Sequence, residues 1–151
     1  MPARGVSGVV PVFILHHCLI GARVFLPDSM TILVADDNAF SRELIRELLE
    51  SSGHVILEAQ NGREALEMIR SREPDLVFLD LQMPLQDGFS VIRELRNQPR
   101  FQKLPVIAIT ASAMMGVRER VISAGFDSYV TKPVDLSAVE AQVEALASRS
   151  H

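Results

Sequence analysis

The sequence predicts an α/β fold: a doubly wound, five-stranded parallel sheet, strand order 2-1-3-4-5, with helices on both faces. Three observations carry that expectation. Short apolar runs alternate five times with segments of helical period along residues 31–148, the pattern of units that build parallel sheets. Three of the runs are almost wholly apolar and two carry polar residues, which separates interior strands from edges. Polar residues also recur at the carboxyl ends of the runs, where open sheets of this kind bind ligands.

The first run is "TILVA", followed by the helical "FSRELIRELLESSG", where Leu44, Ile45, Leu48 and Leu49 share one face and Gly53 suits the stop. "VILEA" precedes "GREALEMIRSRE", in which Ala65, Leu66, Met68 and Ile69 repeat the helical spacing. "DLVFLD" then leads through a loop at Gly88 into "FSVIRELRNQ", which stops before Pro99. "PVIAIT" reads as a strand, and "ASAMMGVRERVISAG" as a helix ending at Gly125. "DSYVT" and "DLSAVEAQVEALAS" complete the five pairs. Residues 31–35, 76–79 and 106–109 are the apolar interior candidates. Residues 55–60 and 127–131 hold Glu58, Gln60, Asp127, Ser128 and Thr131, so they belong at the edges, and strands 1 and 3 meet at the switch point.

Composition bounds the function classes. The 151 residues suit one domain, and 48% hydrophobic with 23% charged residues is a globular balance. A net charge of −4 argues against a nucleic-acid-binding surface. The single cysteine, Cys18, excludes an internal disulfide and fits a reducing compartment. His16, His17, His54 and His151 show no metal-ligand spacing.

Residues 1–29 differ from the rest, with Arg4, Arg23 and Asp28 as their only charges and no helical or strand period; setting those aside leaves 13 basic and 18 acidic residues in 30–151. The apolar run Val9–Ile20 is broken by Pro11 and His16–His17 and is too short to span a bilayer. We expect 1–29 to be an extension, disordered or not native, with Met30 as a start, and 30–151 to be the domain.

Five polar residues define a candidate site at one rim. Asp36 and Asp37 end strand 1, Asp80 ends strand 3, Thr110 ends strand 4 and Lys132 ends strand 5. Three converging carboxylates repel unless a cation neutralises them, and hard oxygen ligands suit Mg²⁺. The Lys132 ammonium and the Thr110 hydroxyl add a charge and a donor suited to a transferred phosphoryl group. There is no GxxxxGK[ST] or GxGxxG, so ATP belongs to a partner.

"VADDN", "DLVFLDLQMPLQDG", "VIAITA" and "GFDSYVTKP" occur in that order, and with them residues 31–148 resemble the receiver domain of two-component response regulators. The resemblance implies a flavodoxin-like fold, with Asp80 as the phosphoacceptor. It implies Mg²⁺ on Asp36, Asp37, Asp80 and the Gln82 backbone carbonyl, Thr110 as the switch hydroxyl, Lys132 as the phosphoryl-binding lysine and Tyr129 as the aromatic switch. The donor would be a phosphohistidine on a histidine kinase or histidine phosphotransfer protein, and the output a changed surface for a downstream protein. A cytoplasmic signalling domain that is not an enzyme, with no membrane or direct nucleic-acid partner, completes the picture. Gln86 departs from the family, where an apolar residue is usual; that touches loop packing.

The residues fit two other readings less well. A Mg²⁺-dependent aspartyl-phosphate phosphatase of the haloacid dehalogenase type would carry DxDx after strand 1, whereas here Asp36 and Asp37 are adjacent and followed by Asn38 and Ala39. A flavin-carrying electron-transfer protein would want aromatics, and the chain has one Tyr and no Trp. Within the family, a free-standing receiver and one cut from a hybrid histidine kinase or larger regulator both fit. Each residue also has a plain structural role open to it. Asp37 or Asn38 would cap the first helix, Thr110 would cap the fourth, Lys132 would be a solvated lysine and Tyr129 an edge-strand tyrosine.

Overall fold

A computed structural model describes residues 29–112 and 114–149. The reading of 1–29 as a dispensable extension falls outside the described residues, Ser29 apart. Ser29 Oγ donates to the Gly53 carbonyl at 2.9 Å, and the Met30 N–H donates to His54 Nδ1 at 3.1 Å, which ties down the approach to the sheet.

Among the described residues five strands alternate with five α-helices: β1 Thr31–Ala35, α1 Ala39–Ser51, β2 Val55–Ala59, α2 Gly62–Arg72, β3 Leu76–Asp80, α3 Gly88–Arg96, β4 Val106–Thr110, α4 Val117–Ala124, β5 Ser128–Thr131 and α5 Leu136–Arg149. A short 3₁₀ turn, Pro99–Phe101, follows α3. The strands are parallel in the order β2-β1-β3-β4-β5, as the polarity of the runs predicts.

Strand alternation sends successive side chains to opposite faces and so creates two cores. Ile32, Val34, Phe78, Ile107 and Ile109 meet Ile45 and Leu49 of α1 and Val139 and Val143 of α5. Leu33, Ala35, Val77, Leu79 and Ala108 meet Leu66 and Ile69 of α2, Ile92 and Leu95 of α3, and Val121 of α4. A side chain such as Ile45, wholly removed from water, contributes roughly 1.5–3 kcal/mol of transfer free energy.

Side-chain oxygens start four of the described helices: Asn38 accepts from Ser41 N at 3.0 Å, Asn61 from Glu64 N at 2.9 Å, Asp87 from Ser90 N at 2.8 Å and Asp135 from Ser137 N at 2.9 Å. Asn38, and not Asp37, is therefore the cap of α1.

The fourth helix is shorter than its period predicts, beginning at Val117 instead of near Ala111. Ser112 N donates to Thr110 Oγ1 at 3.1 Å and Met114 N to Ser112 Oγ at 3.3 Å. Those local bonds satisfy the backbone outside a helix, and Gly116, at φ 89°, turns the chain into α4 from the left-handed region. Met114 and Met115 lie exposed on this loop.

Candidate functional site

The rim that the sequence predicts is assembled by the carboxyl ends of β1, β3, β4 and β5. Asp36 follows β1 and is held to its neighbour by a bond from its N–H to the Ala59 carbonyl at 3.1 Å. Asp80 is the last residue of β3, and the Leu81 N–H donates to the Ile109 carbonyl at 3.0 Å. Lys132 follows β5, with its N–H on the Thr110 carbonyl at 2.7 Å, and the Lys132–Pro133 peptide is cis.

Carboxylate oxygens of Asp36, Asp37 and Asp80 lie within 4.8 Å of one another. Asp36 is fully buried and Asp80 nearly so, whereas Asp37 is exposed at the mouth. Lys132 Nζ donates to Asp80 Oδ2 at 2.9 Å and to Asp36 Oδ1 at 3.2 Å. Backbone donors hold the other sides: Asn38 N on Asp36 Oδ1 at 2.9 Å and Gln82 N on Asp80 Oδ1 at 3.0 Å. Asp36 Oδ2 is 3.2 Å from the same ammonium but out of line for a hydrogen bond, and it is buried without a hydrogen-bond partner.

The electrostatics follow from that crowding. Burial pushes the Asp36 carboxyl above the usual carboxylate range; the Asn38 N–H opposes this, the neighbouring Asp80 adds to it, and Lys132 offsets part of it. Burial alone would depress the Lys132 ammonium, but Asp80 and Asp36 outweigh it, so its pKa stands above the ordinary lysine value. Two buried carboxylates, one exposed carboxylate and a single ammonium leave a surplus of negative charge. An oxygen-only donor set with an orphaned buried oxygen fits a hard divalent cation such as Mg²⁺.

A cleft of about 800 Å³ opens from this rim between the loops after β3 and β4, lined by Asp37, Gln82, Met83, Phe89, Thr110 and Arg120 among others. Thr110 is buried, and its hydroxyl is engaged with Ser112 of its own loop, not with a helix terminus. Tyr129 lies half-buried beside Ala108 of β4 and packs on the core cluster to which α2, α3 and α4 contribute. In the loop after Asp80, Leu85 adopts a positive φ of 69° with its side chain exposed. Gln86 spends its amide on Glu94 at 3.0 Å, which shows how a polar residue is accommodated at that position.

Sequence reasoning missed one part of the site's support. Glu58 was legible only as a polar mark of an edge strand. On β2 it receives Arg42 Nε at 3.2 Å and Arg46 Nη1 at 3.0 Å, and Arg42 Nη1 donates to the backbone carbonyl of Asp36 at 2.7 Å. The available signal was the four-residue spacing of Arg42 and Arg46, which puts both on one helix face.

Parallel strands in this order, with an acidic rim and a facing lysine, define the receiver class of signalling domain. The sequence pattern of the response regulator receiver domain matches residues 32–144, and the chain belongs to that family. It is 36% identical to the polar-differentiation response regulator DivK of Brucella anthropi over 106 residues, covering 70% of this chain and 86% of that one. The DivK of Brucella ovis is 35% identical over 108 residues, 72% and 88% of the two chains. Among solved structures, the Francisella response regulator 1452 receiver domain superposes with a TM-score of 0.75 at 30% identity, covering 81% of this chain and 99% of that one. The receiver domain of the sensor histidine kinase PA1611 of Pseudomonas aeruginosa, solved with a magnesium ion coordinated in its active-site cleft, gives 0.72 at 28% identity over 80% and 98%. Receiver domains are signalling modules that work with histidine kinases and downstream targets, and no described helix here is long and apolar enough to cross a membrane.

Proposed function

We propose that this receiver accepts a phosphoryl group from a phosphohistidine donor onto Asp80 and signals by changing the surface it offers to a downstream protein. The observation that carries the reading is Lys132 Nζ, 2.9 Å from Asp80 Oδ2, set against two further carboxylates. Asp36, Asp37, Asp80 and the Gln82 carbonyl would hold Mg²⁺. When bound, Mg²⁺ supplies neutralising charge for the carboxylates and for the phosphoryl oxygens.

The chain's own residues account for the rest. An Asp80 carboxylate oxygen attacks phosphorus in line, the P–N bond of the phosphohistidine breaks, and the imidazole nitrogen keeps the electron pair. An acyl phosphate forms on Asp80. Lys132 neutralises one phosphoryl oxygen, and the Thr110 hydroxyl turns from Ser112 to donate to another. Asp36, buried and fixed, orients the pocket, while exposed Asp37 faces the cleft from which the donor enters. Such transfer relies on positioning and charge stabilisation more than on nucleophile strength. A donor charged from ATP implies a cytoplasmic setting, and the domain assists its own phosphorylation and dephosphorylation without being an enzyme in the ordinary sense.

The test is intact mass after exposure to a small acyl-phosphate donor, with and without Mg²⁺. One phosphoryl adduct should form only with Mg²⁺ and be lost in Asp80→Asn. Equal labelling of both proteins would overturn the assignment.

A further inference from the structure

We infer that Arg42 is a positioning residue of the metal pocket, acting through the peptide that joins Asp36 to Asp37. This rests on the Mg²⁺ reading of the pocket and adds to it a residue that touches neither metal nor phosphoryl.

The Asp36–Asp37 peptide joins one buried and one exposed candidate ligand. Its carbonyl oxygen and the Asp37 N–H lie in one rigid plane, so fixing the carbonyl fixes the direction in which the chain leaves Asp36. The preceding N–H of Asp36 is already bound to Ala59 of β2. The carbonyl lies beyond the last residue of β1, and its partner is the Arg42 guanidinium at 2.7 Å.

Arg42 is itself immobilised. Its side chain is only 12% exposed, its Nε is 3.2 Å from Glu58, and its backbone N–H bonds to the Asn38 carbonyl at 3.1 Å in the first turn of α1. The planar guanidinium serves two acceptors at once, a carboxylate on β2 and a carbonyl at the end of β1, which a single ammonium does less well. Arg46 reaches the same carboxylate, at 3.0 Å from Glu58 Oε2, so Glu58 keeps a cation whichever arginine is removed. Because Glu58 balances its charge, Arg42 acts on the pocket mainly through geometry. Groups that orient metal ligands from behind typically influence affinity by 10–100-fold when removed.

The experiment follows amide shifts of residues 36–38 during a Mg²⁺ titration of the full chain, beside urea denaturation without metal, for wild type, Arg42→Ala, Arg42→Lys and Arg46→Ala. Arg42→Ala should weaken Mg²⁺ binding about tenfold or more, Arg42→Lys should recover part of the loss, and Arg46→Ala should stay within about twofold of wild type. Arg42→Lys also serves if the alanine variant does not fold. Mg²⁺ affinity unchanged in the Arg42 variants, or reduced equally by Arg46→Ala, overturns the inference and leaves the metal reading intact. A wild-type protein without a saturable Mg²⁺ response overturns both.

Discussion

Lys132 Nζ is 2.9 Å from Asp80 Oδ2, and the two residues are 52 positions apart in sequence. Parallel pairing of β3 to β4 and of β4 to β5 brings them together at one rim. The same ammonium faces Asp36, so one cation serves two buried carboxylates.

Removing that cation exposes the imbalance. Lys132→Ala should lower the stability of the metal-free protein by about 1–3 kcal/mol, because buried acceptors lose their charged donor. Added Mg²⁺ should narrow the gap by binding the folded state. Phosphoryl labelling should fall sharply even at saturating Mg²⁺. Melting curves with and without the metal check the first two expectations, and a variant as stable as wild type without Mg²⁺ contradicts them.

A pH series separates Asp36 from the rest of the pocket. Its folded pKa lies above the 3.8 of the unfolded chain, chiefly through burial. Below 3.8 the carboxyl is protonated in both states and carries no penalty. As pH rises from 3.8 through the raised folded value, the unfolded chain ionises first and metal-free stability is lost. Asp36→Asn should therefore match wild type near pH 3 and exceed it near neutrality, and Mg²⁺ should reverse that order. Urea midpoints across pH measure this; a deficit of the variant at neutral pH without metal would show that Asp36 is needed for folding.

Gly88 tests how tightly the loop after Asp80 is built. A Cβ there would sit 2.6 Å from the Asp80 carbonyl oxygen and 2.9 Å from Leu81 Cα, both backbone atoms. Gly88→Ala should cost about 1–3 kcal/mol and weaken Mg²⁺ binding, because the backbone carrying Asp80 and Gln82 must move. Gly116→Ala meets nothing within 4 Å and strains only a φ of 89°, so it should cost on the order of 1 kcal/mol and leave Mg²⁺ binding unchanged. Equal metal affinity in the two variants would count against a rigid loop.

Much of this was legible because the physics is local to strands. The apolar runs Ile32–Ala35 and Val106–Ile109 are interior strands since both faces are buried, and Glu58 and Ser128 mark edges since one side is not. Asp36, Asp80, Thr110 and Lys132 were found by their place at strand ends. What escaped depends on competition between nearby bonds. The Ser112 and Thr110 side chains hold Ser112 and Met114 out of α4, although the period there is helical. The carboxylate of Asp135 likewise turns back on its own chain, accepting Ser137 N at 2.9 Å and Ala138 N at 3.4 Å. Arg42 and Glu58 escaped because a charge pair on a helix and an edge strand reads as a solvated surface until the fold closes over it.

In the proposed mechanism the output of the domain would rest on Thr110. Its hydroxyl now donates to the Ser112 carbonyl at 3.5 Å while accepting the Ser112 N–H at 3.1 Å, in a loop with exposed Met114 and Met115 that ends at the left-handed Gly116. A phosphoryl group on Asp80 offers that hydroxyl a charged acceptor, and a charge-assisted bond is roughly twice as strong as the neutral one it replaces. Drawing Thr110 inward would pull the loop toward the rim and free space beneath α4 into which half-buried Tyr129 turns. The surface of α4, β5 and α5 would then differ between the two states, by an amount set by their differential contacts with metal and phosphoryl. Glu140 and Glu144 are exposed on α5, so a downstream partner with basic residues is the better match. Amide shifts of the metal-free protein against a Mg²⁺–phosphoryl-mimic complex should change at Thr110, along 111–116 and at Tyr129, and Thr110→Ala should confine the changes to the rim. Shifts limited to residues 36–38 and 80–82 in wild type, with Tyr129 unmoved, would refute this route from phosphoryl group to partner.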